Sequence, residues 1–314
     1  MTPDPAFRAD VLAGLAAPVP AVPARWLYDR RGSELFEAIT RLPEYYPTRT
    51  ETAMLERFSA DFAAFSSASA AVVEFGSGSS AKTPILLRAI RPAAYVPIDI
   101  SGDFLRESAK SLAAEFSGLA VHPVEADFTR PLALPAEIAD LPKLGFFPGS
   151  TIGNFVPRSA VDLLRAMKDT LGDGARLLIG MDRIKDVDVL LAAYNDEAGV
   201  TARFNLNLLH RINAELDGTI PANAFRHRAV WDDAKSRIEM HLEALRDVEF
   251  TVSGRDFSMK AGATIHTENS HKYGYRDSRL LLRAAGWGVV REWIDDREWF
   301  SIILAEAEPA RFAP

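Results

Sequence analysis

Between Ala70 and Asp182, short runs of β-branched and aliphatic residues alternate with stretches whose apolar positions recur at helical spacing. The first kind predicts strands and the second helices. The reading gives strands at Ala71–Phe75, Tyr95–Ile100, Leu119–Glu125, Leu144–Phe147 and Arg176–Met181, separated by helices at Thr83–Arg91, Phe104–Phe116 and Arg158–Leu171. Such alternation closes through right-handed crossovers into a mostly parallel, doubly wound α/β sheet, which binds ligands at the carboxyl ends of its strands.

After Asp182 the pattern changes. A helical region runs from Tyr194 to Leu216, followed by alternating runs at Arg237–Arg246, Val248–Val252 and Ala263–Lys272, with Ser253-Gly254-Arg255-Asp256 as a hairpin turn. The core pattern then returns as a helix at Asp277–Ala285 and strands at Trp287–Trp293 and Phe300–Glu306, whose short connection predicts a terminal antiparallel hairpin. Residues 57–185 and 274–314 are thus expected to form the sheet core, and 1–56 with 186–273 a second, mixed α+β domain.

Composition narrows the chemistry. At 314 residues and 48% hydrophobic content the chain is long enough for one large or two modest domains. A formal net charge of −7 argues against nucleic acid, whose binding relies on clustered Lys and Arg. There is no cysteine, which removes disulfides, thiolate metal sites and Cys nucleophiles and suits a cytoplasmic protein. The apolar stretch Val11–Ala24 is broken by Pro18, Pro20 and Pro23 and lacks a basic start, so neither a signal peptide nor a membrane span is expected.

The segment Ala71–Thr83, AVVEFGSGSSAKT, runs a strand through a glycine turn into a helix. Gly76 and Gly78 allow a sharp turn and close approach of a ligand to the backbone, and the helix start favours negative charge. Gly76-x-Gly78-x-x-Ala81 also fits a dinucleotide fingerprint, so an NAD-dependent oxidoreductase remains the alternative from another class. Acids recur at the strand ends as Glu74, Asp99 and Asp127, the last beside Phe128. This pattern suits S-adenosylmethionine: Asp99 for the ribose hydroxyls, Asp127 and Phe128 for the adenine. Lys82 is placed to reach the cofactor's carboxylate. The terminal hairpin and the polar run Gly149-Ser150-Thr151-Ile152-Gly153-Asn154 favour a Rossmann-like class I methyltransferase over a dehydrogenase.

Several motifs then resemble the histidine-specific Nα-methyltransferases of ergothioneine biosynthesis along nearly the whole chain. They are Tyr28-Asp29-x-x-Gly32-Ser33-x-Leu35-Phe36, Leu42-Pro43-Glu44-Tyr45-Tyr46-Pro47-Thr48-Arg49, the Glu74–Thr83 loop and Gly149–Asn154. To these are added Gly199-Val200-Thr201-Ala202-x-Phe204-Asn205, Arg237-Ile238-Glu239-Met240 and Thr267-Glu268-x-Ser270-x-Lys272. The resemblance implies transfer of three methyl groups from S-adenosylmethionine to the α-amino group of L-histidine, giving hercynine. It implies cofactor contacts from Tyr28, Gly76, Lys82, Asp99, Asp127 and Phe128. Substrate contacts would come from Tyr45, Asn154, Tyr194, Glu268 and Ser270, with Met240 lining the pocket. Pro148 and His271 depart from the expected pattern without replacing a named ligand. A related N-methyltransferase of another amino acid or aromatic amine is the alternative within the fold.

The residue types suit that chemistry. Glu268 and Ser270 share a strand face, and their carboxylate and hydroxyl match the two nitrogens of an imidazole. Tyr28 and Tyr45 are the catalytic candidates, able to stabilise a growing ammonium through hydroxyl and π-face contacts that tolerate methyl groups. The six histidines are scattered along the chain, His266 and His271 are expected on opposite strand faces, and no metal site is expected. The enzyme is expected to act as a monomer on a small molecule, with no membrane partner.

Overall fold

The computed structural model describes residues 4–67, 69–78, 82–100 and 102–309. Ala81, the last position of the glycine fingerprint, lies outside them. The strands are β1 Ala71–Phe75, β2 Ala94–Asp99, β3 Ala120–Val121, β4 Val124–Glu125, β5 Lys143–Phe147 and β6 Arg176–Asp182. They continue as β7 Phe225–Asp232, β8 Arg237–Ala244, β9 Val248–Val252, β10 Arg255–Met259, β11 Thr264–His271, β12 Trp287–Ile294 and β13 Phe300–Ala307. Two compact units result: Pro47–Ile184 with Lys272–Pro314, and Met1–Tyr46 with Lys185–His271.

The first unit is a single sheet in the order β12-β13-β6-β5-β1-β2-β3, with β4 also on β2. Pairs among β1 to β6 are parallel, whereas β13 runs antiparallel to both β6 and β12. This is the class I methyltransferase arrangement, with its reversed terminal hairpin. Both faces are covered, as parallel strands require. Val73, Phe75, Val96 and Ile179 pack with Leu163, Leu164 and Met167 of the helix Pro157–Leu171. Val72, Tyr95, Phe146 and Leu178 pack with Leu86 and Leu87 of the helix Thr83–Ile90. The strand expected at Leu119–Glu125 is broken into β3 and β4, because Pro123 lacks the N–H that a continuous ladder needs. The chain resumes pairing on either side, His122 N–H donating to Tyr95 O at 2.9 Å and Ala126 N–H to Asp99 O at 3.1 Å.

The second unit combines helices with the antiparallel sheet β11-β8-β7 and the hairpin β9–β10. That hairpin turns through Ser253 and Gly254, both at positive φ (48° and 75°), the conformation of a two-residue primed turn. Of the helical region expected from Tyr194 to Leu216, Val200–Glu215 is a helix, and Tyr194 instead ends a separate, earlier helix, Val187–Tyr194, that was not expected. Asp196 divides them by accepting from Val200 N–H at 2.7 Å and Thr201 N–H at 2.8 Å, a cap that starts a new helix. Strand β7 was not expected, since its polar alternation FRHRAVWD leaves most of its residues half-exposed.

The register between β8 and β11 shifts between His266 and Glu268, so Thr267 is the extra residue of a β-bulge. One inserted residue moves every later side chain to the other face. His266 stands opposite His241 and His271 opposite Arg237, placing both histidines on one face and correcting the expectation of opposite faces. Glu268 faces Met240 and Ser270 faces Ile238, on the buried side.

Candidate functional site

In the sheet unit, Gly76 (φ 72°) and Gly78 (φ 49°) turn the chain sharply after β1. A Cβ on Gly76 would stand 3.3 Å from the Phe128 ring, so Phe128 packs directly against the turn. That ring makes edge contacts with Phe75 and Phe147 at centroid separations of 6.4 and 6.0 Å. Asp99, ending β2, accepts from Gly78 N–H at 3.0 Å and ties the glycine turn to the neighbouring strand. Asp127 is exposed and folds its own turn, accepting from Thr129 N–H (3.0 Å) and Oγ1 (2.6 Å). Gly76, Asp99 and Phe128 thus come together at the carboxyl edge of the sheet, with Asp127 adjacent in sequence.

Glu74 serves the turn from below. It accepts from Thr83 Oγ1 at 2.7 Å and Tyr95 Oη at 2.5 Å, fully inside the core. Burial raises its carboxyl to about 7, although both hydroxyls pull the other way.

Lys82 forms an ion pair with Glu51, a residue to which the sequence reading gave no role. Glu51 also accepts from Gly149 N–H at 2.9 and 3.0 Å. Beyond Gly149, Ser150 takes the left-handed conformation (φ 54°) and its Oγ accepts from Asp182 N–H at 2.9 Å. The turn ends in a short 3-10 segment, Thr151–Asn154, which leaves Asn154 half-buried.

In the other unit the buried face of β11 carries Glu268 and Ser270. Tyr194 Oη donates to Ser270 Oγ at 2.6 Å, and Tyr28 Oη donates to Glu268 Oε1 at 3.3 Å. Burial first, and then the Glu268 carboxylate, push the Tyr28 phenol well above its usual range, so it remains a neutral donor. Tyr45 lies edge-on to Tyr194 (6.3 Å) and Phe36 (6.2 Å), while Tyr28 lies edge-on to Phe36 and Phe204 at 5.5 and 5.4 Å. Within this unit Tyr28, Tyr45, Tyr194, Glu268 and Ser270 therefore belong to one cluster, with Met240 across the strand. Phe36, in the motif that begins at Tyr28, and Phe204, in the motif that begins at Gly199, join it without having been expected there.

The motif Tyr28-Asp29-x-x-Gly32 has a local cause. Asp29 caps the helix Arg30–Thr40 by accepting from Gly32 N–H at 2.6 Å, and a Cβ on Gly32 would stand 1.8 Å from Leu27 O. Only glycine permits this tight entry, which holds Tyr28 in place.

A second layer orders the cluster. Thr267 Oγ1 donates to Asn205 Oδ1 at 2.7 Å, and Asn205 Nδ2 lies 3.0 Å from both His241 O and His227 Nδ1. His227 Nε2 lies 2.8 Å from Tyr194 O. Burial lowers the His227 pKa, which keeps the ring neutral with Nε2 donating and Nδ1 accepting. The chain Thr267–Asn205–His227–Tyr194–Ser270 thus runs from the bulge to the polar face it creates. Asn205 and Thr267 were visible as motif positions, but their partners stand 62 residues apart in sequence and no local pattern joins them.

The scattered histidines of the sequence are not all scattered in space. Ligand atoms of Glu239, His241 and His266 lie within 4.8 Å of one another. Arg237 already neutralises Glu239, whose Oε2 lies 3.0 Å from His241 Nε2. His266 Nε2 is committed to Glu268 O at 3.0 Å. With its carboxylate paired to a guanidinium, this group is a polar network on the sheet face opposite Glu268.

No helix among the described residues is long and apolar enough to cross a membrane. Residues 7–307 match the family described as histidine-specific methyltransferase, SAM-dependent. The chain is similar to the histidine N-alpha-methyltransferase of Mycolicibacterium smegmatis, at 40% identity over 96% of this chain and 94% of that protein. It is 39% identical to the histidine N-alpha-methyltransferase of Mycobacterium tuberculosis, with the same coverage of both chains. It is also 30% identical to ergothioneine biosynthesis protein 1 of Neurospora crassa over 91% of this chain, which spans 33% of that longer protein.

Proposed function

The chain belongs to the SAM-dependent, histidine-specific methyltransferases, and from this premise we propose that it converts L-histidine to hercynine by three Nα-methyl transfers, the first step of ergothioneine biosynthesis. The observation that carries the substrate half of this reading is the pairing of Tyr194 with Ser270 beside Tyr28 with Glu268 on one buried strand face. A carboxylate and a hydroxyl two residues apart match the two ring nitrogens of histidine.

The residues around the glycine turn suit S-adenosylmethionine. Gly76 leaves backbone open beside an aromatic ring, and Asp99 offers a carboxylate at the strand end, fitting an adenosine with its ribose hydroxyls. Gly76, Lys82, Asp99, Asp127 and Phe128 would hold the donor, together with Tyr28. When bound, S-adenosylmethionine supplies a methyl group on a sulfonium, already an electrophile, so the reaction requires no metal. Loss of activity on chelation would count against that part of the reading.

The protein's task is then positioning. The amine must be neutral and aimed, and Asn154, Tyr45 and Tyr194 are the groups assigned to hold the substrate's amino-acid end. Tyr28, kept protonated, holds its hydrogen bond to Glu268 and is not assigned as the base; the amine loses its proton to water or another nearby hydroxyl. Aromatic faces of Tyr28 and Tyr45 accommodate a trimethylammonium that has no N–H left to donate. An acidic, cysteine-free chain suits a cytoplasmic monomer acting on a small molecule.

The test is mass spectrometry after incubating the purified protein with S-adenosylmethionine, the common amino acids and tryptamine. Trimethylated histidine as the sole product is expected. Methylation of another amine would overturn the substrate assignment and leave the reaction class standing.

A further inference from the structure

Glu51 is 1% exposed, on the helix Tyr46–Arg57, with its carboxylate inside the sheet unit. A carboxylate in that position is costly unless it is paired and hydrogen-bonded, and even a well-made buried pair is weak grounds for added stability. Glu51 has both kinds of partner. Lys82 forms its ion pair, and Gly149 N–H points at both oxygens, at 2.9 and 3.0 Å. The chain is shaped to admit it: a Cβ on Gly180 of β6 would stand 2.1 Å from Glu51 Oε1.

These partners lie on two loops with a common location. Lys82 follows the glycine turn after β1, and Gly149 follows β5, the strand beside β1. Both loops leave the carboxyl edge, where a doubly wound sheet takes its ligand. Glu51 therefore cross-links the two loops and compensates the one positive charge that the donor-binding assignment places there.

We infer that Glu51 is a positioning residue of the methyl-donor site, fixing Lys82 and the Gly149 turn and keeping the Lys82–Glu51 pair electrically neutral toward the donor. The inference rests on the reading of this edge as an S-adenosylmethionine site. It has a chemical signature. S-adenosylmethionine carries a net charge of +1, its sulfonium and ammonium outweighing its carboxylate, whereas S-adenosylhomocysteine, having lost the sulfonium, is a neutral zwitterion. Removing the negative charge of Glu51 leaves Lys82 uncompensated, which penalises the cationic donor more than the spent product.

The experiment is calorimetric titration of wild type, Glu51→Gln and Glu51→Gln/Lys82→Met with each ligand. Glutamine keeps the shape and an acceptor for Gly149 N–H. In the single variant the Kd for S-adenosylmethionine is expected to rise about tenfold and that for S-adenosylhomocysteine clearly less, since an uncompensated charge acts on net ligand charge. The double variant, again neutral, returns the ratio of the two constants toward the wild-type value. An unchanged ratio in the single variant, or equal losses for both ligands, overturns the inference. If Glu51→Gln does not fold, Gly180→Ala displaces the carboxylate sterically, and unaltered affinity for both ligands in that variant overturns it equally. Failure of the wild type to bind either ligand would instead remove the donor-site reading itself.

Discussion

Thr267 Oγ1 donates a 2.7 Å hydrogen bond to Asn205 Oδ1, and through it the single extra residue of β11 is held out of the ladder. The bulge places Glu268 and Ser270 on the buried face, so this bond acts on the Tyr28–Glu268 and Tyr194–Ser270 cluster without belonging to it. Replacing Thr267 by Val leaves Asn205 without its donor in a fully buried position. An unmet buried polar group costs about 1–3 kcal/mol, and a shift in the bulge would re-aim Glu268. Thr267→Val is expected to raise KM for histidine at least several-fold with little change in S-adenosylmethionine affinity, as steady-state kinetics and calorimetry would show. Equal loss for both ligands would instead indicate general destabilisation.

Tyr194→Phe removes the hydrogen bond to Ser270 and keeps the ring against Tyr45. A neutral hydrogen bond contributes about 0.5–1.5 kcal/mol, which corresponds to roughly a two- to twelvefold change. KM for histidine should rise within that range while the melting temperature moves little. A histidine KM equal to wild type would remove the Tyr194–Ser270 pair from substrate recognition.

Glu74 gives the protein a pH dependence of known sign. Its folded pKa, about 7, lies above the ordinary carboxyl value of 4.5, so between those values the folded state holds a proton that the unfolded chain releases. The group therefore opposes folding increasingly as pH rises from 4.5 to 7, with the full penalty above that window. Glu74→Gln cannot titrate. Between pH 5 and pH 8 the wild type should lose about 2–3 kcal/mol relative to this variant, measured by urea unfolding at each pH. Parallel pH curves would show that the carboxyl is not perturbed.

Lys272 and Asp182 form a pair at 2.8 Å with side chains 0% and 1% exposed. Removing one member of such a buried pair takes its counter-ion from the other, at a cost of about 3–5 kcal/mol. Lys272→Met should unfold at clearly lower denaturant concentration, and Lys272→Met/Asp182→Asn should recover part of the loss. A double variant no better than the single one would mean that the ammonium contributes by packing alone.

The alternation from Ala71 to Asp182 determined the sheet and its crossovers, because strand and helix periods are local properties of the chain. The glycine turn, Asp99 and Phe128 were legible for the same reason: strand ends mark where a doubly wound sheet binds. The resemblance named Tyr28, Tyr45, Tyr194, Glu268 and Ser270, and the fold brings these five together within one unit. The break at Pro123 was open to local reading, since proline removes a ladder donor. Tertiary structure alone decided the rest. A bulge at Thr267 reversed the faces of His266 and His271, and no two-residue period reports an inserted residue before its partner strand is known. The Glu239–His241–His266 group, the Asn205–His227 relay and the seat of Glu51 between Lys82 and Gly149 join residues tens of positions apart. A buried polar side chain takes whichever partner the folded core offers, and that choice is made in space rather than along the chain.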